Sequence, residues 1–365
     1  KHVHSYTRQD VAATAGLPSS LYGAEAYGVL YLSQAPAGTP RVVSGLIVAP
    51  IGVAPEGGFP VIAHGHGTTG LADSCAPSKR PWRIRDLLPW VAQGYLVSAT
   101  DYVGLGTPGL HPYLVGEAEA FSMLDSARAA LRFSDSVPGL SVTVANAIVL
   151  EGHSQGGHAA LFAHQASESY APDLNVVGTV AFAPGSELRL MAQRMTKSWS
   201  PLLGMGVPAM YAYSEYYGAP DVLGSWLQEP YATELPDQIE DYCIVGLELW
   251  LGFRPEEVLQ PDLLAAVREG RWDDIQPWTD YLDANTPGDY SSLAPVLLIQ
   301  GEDDHLVPPE ASERLMERLC AHGTPVQLSR YVDAGHLDIT QVGFSEASGW
   351  IADRLAGVLA PNGCP

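Results

Sequence analysis

NAIVLEGHSQGGHAALFAHQAS, residues 146–167, carries three signals in a fixed order. NAIVLEG is a short apolar run closed by glycine, the pattern of a strand buried on both faces. GHAALFAHQAS is rich in good helix formers. Between them, Gly152-His153-Ser154-Gln155-Gly156 puts a serine on the turn from strand to helix, where small residues two before and two after relieve the crowding of the two elements. Such a turn strains the backbone at Ser154 and lifts its hydroxyl above the sheet edge. The helix that begins beyond it offers N–H groups and the positive end of its dipole to negative charge forming there. Ser154 is the candidate nucleophile.

A serine hydroxyl attacks poorly unless a base takes its proton and a third group holds that base. After an elbow of this kind the acid precedes the histidine along the chain. Pro295 to Gln300 reads as a buried strand that opens into GEDDHLVPPE, so Asp303 or Asp304 is the expected acid. The GxxDxxVP spacing favours Asp304, leaving Asp303 to solvate the turn. After the next strand, PVQLSRYV from Pro325, comes DAGH with His336, the expected base. His153, His158 and His164, beside the elbow or on its helix, read as structural. Upstream, FPVIAHG from Phe59 leads into His64-Gly65-His66-Gly67-Thr68-Thr69-Gly70, where glycines let backbone approach a substrate. The Thr68 and Gln155 N–H groups are the expected donors to an oxyanion. His64 and His66 have no acidic or cysteine ligands close by in sequence, so no metal is expected, nor any other cofactor.

Around these motifs, β-rich runs alternate with helical ones, the pattern of an α/β fold. Ala26 to Ser33 and Arg41 to Ala49, joined by PAGTP, read as an antiparallel hairpin. Parallel strands are expected from Phe59, Tyr95, Asn146, Asn175, Pro295 and Pro325, which makes eight in all. Helices are expected over Val115–Phe133, Gly156–Ser169, Pro309–Ala321 and Ser345–Leu359. One long interruption, from near Ala183 to near Pro295, holds five of the eight tryptophans. A structureless loop of that length is improbable in a compact domain, so an inserted helical cap is expected. The division is a core over 1–184, a cap over 185–290 and the rest of the core over 291–365. Trp226, Trp250, Trp272 and Trp278 with Tyr211, Tyr213, Tyr216 and Tyr217 either line a tunnel or form the cap's own core.

The 365 residues carry 19 Lys and Arg against 41 Asp and Glu, a net charge of −22. That balance excludes nucleic acid as a partner, because phosphate binding needs clustered cations. The longest uncharged stretch, Ser198–Ser214, is broken by Pro201 and Pro208, which argues against membrane insertion and leaves at most transient contact with a lipid interface. KHVHSYT at the start has no apolar core, so a secretory signal would already be absent from this numbering. Cys75, Cys243, Cys320 and Cys364 form no CxxC or His-rich cluster; they suit two disulfides in any of three connectivities, or buried free thiols.

With HGTTGLADSCAPS (66–78), DYVGLGTPGLHPYLVG (101–116), LDSARAA (124–130), GHSQGGHAA (152–160), GEDDHLVP (301–308) and DAGH (333–336), nearly the whole chain resembles the secretory lipase family of α/β-hydrolases. The resemblance implies a mostly parallel eight-stranded sheet with a helical cap after the sixth strand. It implies a secreted serine carboxylic ester hydrolase, a lipase or esterase acting on an ester or lipid through an acyl-enzyme, with no metal. It carries the triad onto Ser154, Asp304 and His336 and suggests the pairs Cys75–Cys243 and Cys320–Cys364. A serine peptidase or amidase of the same fold, or a non-catalytic binding protein, are the rivals. A peptidase usually brings a further large domain, and a binding protein usually lacks a triad member.

Overall fold

The computed structural model describes residues 1–35, 38–137 and 142–365. One sheet of nine strands runs through it: β1 (His2–Tyr6), β2 (Gly23–Ala35), β3 (Thr39–Ile51), β4 (Phe59–Gly65), β5 (Leu96–Thr100), β6 (Val144–His153), β7 (Val176–Phe182), β8 (Val296–Gly301) and β9 (Val326–Tyr331). Their order is β1-β2-β3-β5-β4-β6-β7-β8-β9. The first three pair antiparallel, β3 pairs antiparallel with β5, and every pairing from β5 across to β9 is parallel. The sheet thus has one strand more than the eight expected. HVHSY of β1 buries only Tyr6, so it lacks the alternation that marks a strand; it is a polar edge strand, the kind that resists pairing with other chains. The opening hairpin is also longer than expected, its ladder running from Gly23↔Ile51 to Ala35↔Thr39. Pro36 and Ala37 of its expected turn lie outside the described residues.

Strands covered on both faces need apolar residues at odd and even positions alike. On one face, Val61, Ala63, Ile148 and Leu150 pack against Met123, Leu124 and Ala127 of the Gly116–Leu131 helix and Ala159, Ala160 and Ala163 of the Gln155–Tyr170 helix. On the other, Ile62, Val97, Val149, Val180 and Ile299 meet Leu88 and Val91 of the Leu88–Ala92 helix and Trp350 and Ile351 of the Phe344–Leu355 helix.

Between β7 and β8 the chain is helical, with Leu188–Met195, Leu203–Tyr216, Tyr231–Asp241, Ile244–Leu251, Pro261–Glu269 and Trp278–Ala284 as its main helices. Met210, Trp226, Leu235, Leu247 and Val267 form part of its core. Cys75 is bonded to Cys243, and Cys320 to Cys364. The first bond lies beside a bridge between Gly70 and Cys243 and the hydrogen bond from Ile244 N–H to the Thr69 oxygen, 3.0 Å. Gly70 sits at φ +115°, and a Cβ there would come within 2.8 Å of the Cys243 Cα, so the insertion docks on bare backbone. Among the described residues no helix is long and apolar enough to cross a membrane. The loops at the C-terminal ends of β4, β6, β8 and β9 carry Thr68, Ser154, Asp304 and His336, the edge at which open parallel sheets form crevices.

Candidate active site

Ser154 occupies φ 57°, ψ −115° between β6 and the Gln155–Tyr170 helix. A non-glycine residue there is strained, and the strain persists only because the surroundings fix it. Ser154 N–H donates to the Phe182 oxygen at 2.9 Å, and the Ser154 oxygen accepts from His158 N–H at 3.0 Å. The turn is tight because strand and helix nearly touch: a Cβ on Gly152 would lie 2.3 Å from the Gly156 oxygen, and one on Gly156 would lie 1.8 Å from the Gly65 oxygen at the end of β4.

His336 bonds through Nδ1 to Asp304 Oδ2 at 2.7 Å. Asp304 is 2% exposed, and its Oδ1 accepts from the Leu306 and Val307 N–H groups at 2.9 and 2.8 Å. That pattern is acceptor-only, as for a carboxylate, so Nδ1 carries the hydrogen and the Nε2 lone pair of His336 is free to act as a base. Asp303 is exposed and its N–H donates to the Ala334 oxygen, so of the two acidic candidates Asp304 is the one brought to His336. Ser154 and His336 line the same cavity.

Gln155 begins the helix that follows Ser154. The loop carrying Thr68 passes close to Ser154, since a Cβ on Gly67 would lie 3.8 Å from that of Ser154. Thr68 Oγ1 is hydrogen-bonded to the Tyr113 hydroxyl at 2.8 Å. His64 is engaged by Glu151 at 2.6 Å, and His66 Nδ1 by the Gly67 oxygen at 2.7 Å. Burial pushes His66 down to about 3 from the ordinary imidazole value of 6.5. His153 is held neutral in the same way, pushed down to about 3 chiefly by burial and then by the neighbouring His336. Its Nε2–H donates to the His336 backbone oxygen at 2.8 Å. Sequence position puts His153 beside the elbow, and only the fold brings it to the backbone of His336.

The cavity is narrow, about 70 Å³, and almost wholly apolar. Of the eight aromatics singled out in the insertion, Trp278 and Tyr213 line it. Trp226 packs against Trp278 and Tyr281, Tyr217 stacks on Tyr281, and Trp250 meets Tyr231 edge-on. Aliphatic side chains supply more of the wall: Leu114, Leu188, Leu202, Leu282 and Leu306, with three methionines, Met191, Met195 and Met205. Nothing in the sequence singled them out, although their spacing puts Met191 and Met195 on one face of the Leu188–Met195 helix.

The secretory lipase family model matches residues 84–242 and 280–363, more than half of the chain. The chain belongs to the secretory lipase family. The residues between the two matched segments lie in the helical insertion, and β1 to β4 precede the first, so the family likeness is carried by β5 to β9, the elbow and both ends of that insertion. A secreted triacylglycerol lipase of Malassezia globosa is 26% identical over 311 residues, covering 80% of this chain and 65% of its own length. A Mycobacterium tuberculosis member named "Probable inactive lipase" is 25% identical over 350 residues, covering 90% of this chain and 73% of its own. The chain thus spans about two thirds to three quarters of the length of these secretory lipase relatives. Among solved structures, the rice cell wall degrading esterase of Xanthomonas oryzae superposes with a TM-score of 0.83 at 20% identity, covering 98% of this chain and 97% of that one. The secretory lipase chain described here therefore has the α/β-hydrolase fold.

Proposed function

We propose that the protein is a serine carboxylic ester hydrolase, a lipase or esterase. The observation that carries this reading is Ser154 in a strained elbow, opening onto one apolar cavity together with a His336 whose Nδ1 is already held by Asp304. Ser154 Oγ attacks the ester carbonyl while His336 Nε2 takes its proton, and Asp304 steadies the resulting imidazolium. The tetrahedral oxyanion is received by the Gln155 and Thr68 N–H groups and by the positive end of the 16-residue helix behind Ser154. His336 returns the proton to the leaving alcohol, and water, activated by the same imidazole, releases the acid from the acyl-enzyme.

Residues 185–290 serve as the cap in this reading. The narrow apolar channel under them, lined by leucines and three flexible methionines, suits a thin unbranched acyl chain. Two disulfides suit work outside the reducing cytosol, so a secreted enzyme is the location we favour.

The test is turnover of p-nitrophenyl esters from acetate to long acyl chains, emulsified triglycerides and peptide anilides by the purified chain. Esters are expected to be cleaved and anilides not. Cleavage of anilides alone would make it a peptidase, and no turnover of any substrate would align it with the relative named inactive.

A further inference from the structure

Beneath the elbow lies a cluster of buried groups that the proposed mechanism does not use. Glu119 has no exposed surface, yet both its carboxyl oxygens are occupied. Oε1 accepts from the Leu114 N–H at 3.0 Å and from Gln155 Nε2 at 2.8 Å, and Oε2 meets His158 Nδ1 at 2.7 Å. His158, equally buried, directs Nε2 to the Asn285 backbone oxygen at 2.8 Å. A carbonyl only accepts, so that Nε2 carries a hydrogen. One proton then lies in the Glu119–His158 bond, and the pair is neutral overall whichever partner holds it. His111 donates from Nδ1 to the Val103 oxygen at 3.1 Å, which leaves its Nε2 lone pair to accept the second Gln155 amide hydrogen at 3.0 Å. Both amide hydrogens of Gln155 are therefore fixed. The same stretch supplies Tyr113, whose hydroxyl holds Thr68.

Residues 111–119 thus grip both residues whose N–H groups the mechanism assigns to the oxyanion. An isolated carboxylate buried there would be costly and would oppose negative charge forming on a substrate oxygen. The proton shared with His158 removes both difficulties, and Asn285 ties the cluster to the end of the helical insertion. We propose that Glu119 is a positioning residue, which holds the Gln155 and Thr68 donors in register through the Gln155 amide and the Leu114–Tyr113 backbone. The proposal rests on the reading of Ser154 as nucleophile.

Two variants of the full chain test it. Glu119→Ala leaves the Leu114 N–H, the Gln155 amide and His158 without their common partner. Glu119→Gln keeps the Oε1 acceptor and turns an amide hydrogen toward His158 Nδ1, which keeps one hydrogen in that bond and the pair neutral. Titration to completion with diethyl p-nitrophenyl phosphate counts competent serines, so kcat per titrated site is independent of any misfolded fraction. Glu119→Ala is expected to lower that kcat for p-nitrophenyl butyrate by roughly 100-fold, the scale of a misplaced reacting group. KM should stay within about twofold, because substrate binding itself is untouched. Affinity for a boronic acid, which mimics the tetrahedral intermediate, should fall alongside kcat. Glu119→Gln should recover kcat to within about threefold of the native chain, since the Leu114 N–H, the Gln155 amide and His158 Nδ1 each keep a partner. An unchanged kcat per titrated site in Glu119→Ala, or a Glu119→Gln as impaired as Glu119→Ala, would overturn the positioning role. Absence of any titratable serine in the native chain would instead overturn the reading of Ser154.

Discussion

Asp304 accepts two backbone N–H groups on one oxygen and faces His336 with the other, whereas Asp303 beside it lies in solvent. An Asp that fixes the tautomer of a catalytic histidine is worth up to roughly 10⁴ in turnover, and a solvated neighbour little. Asp304→Asn should therefore be severe and Asp303→Asn mild in kcat for p-nitrophenyl butyrate; the reverse ranking would reassign the acid. The buried histidines set a second expectation. His66 and His153 titrate near 3 and His164 near 4 in the fold, all driven down first by burial, against 6.5 for free imidazole. As pH falls below 6.5 the unfolded chain takes up these protons and the folded chain does not, so stability present above 6.5 is lost progressively toward pH 4. Thermal unfolding followed by circular dichroism should show Tm falling across that window. A Tm constant from pH 7 to pH 4 would contradict the buried, neutral state of these rings.

The parallel strands β4 to β9 were legible because an element covered on both faces must be a short apolar run, and such runs here end in Gly, Pro or polar residues. The Gly152–Gly156 turn was legible because no other spacing lets this strand and helix cross. β1 was not, since a polar edge strand is shaped by its partner β2 rather than by its own pattern. Glu119 was not legible either: a lone glutamate on an amphipathic helix reads as surface, and only tertiary packing sets it under Ser154 against His158. The three methionines of the cavity lining escaped for a related reason, because unbranched side chains fill any core. The Cys75–Cys243 bond joins the loop of Thr68 to the helical insertion across 168 residues, and Cys320–Cys364 closes 44. Each is expected to contribute roughly 3–5 kcal/mol by restricting the unfolded chain. Cys320→Ser/Cys364→Ser should lower Tm and leave kcat unaltered, since that bond is remote from Ser154. Cys75→Ser/Cys243→Ser should lower both Tm and kcat, because the loop that carries Thr68, the proposed oxyanion donor, loses its anchor. Equal effects of the two pairs on kcat would argue against a role for the anchored loop.

Taken as a whole, the molecule is a sheet that presents Ser154, Asp304 and His336 on loops at one edge, with a helical insertion whose apolar residues form one cluster with Val43, Leu71, Val103 and Val115 of the rest of the chain. The division of labour predicts separable effects. Each methylene buried in the channel contributes up to about 0.8 kcal/mol, so kcat/KM should rise from acetate to medium-chain p-nitrophenyl esters. Replacing residues 185–290 by a short linker should flatten that rise while some acetate hydrolysis remains. A native preference that falls steadily from acetate would mean that the channel does not take the acyl chain. All of this depends on one atom, the Ser154 hydroxyl oxygen. Its role is tested most directly by treating the purified chain with a fluorophosphonate and locating the adduct by mass spectrometry, alongside Ser154→Ala. One adduct is expected, on Ser154, with loss of activity in step with labelling, no adduct in Ser154→Ala, and turnover in that variant lower by about a millionfold. An adduct on a different serine, or ordinary ester turnover by Ser154→Ala, would contradict that role.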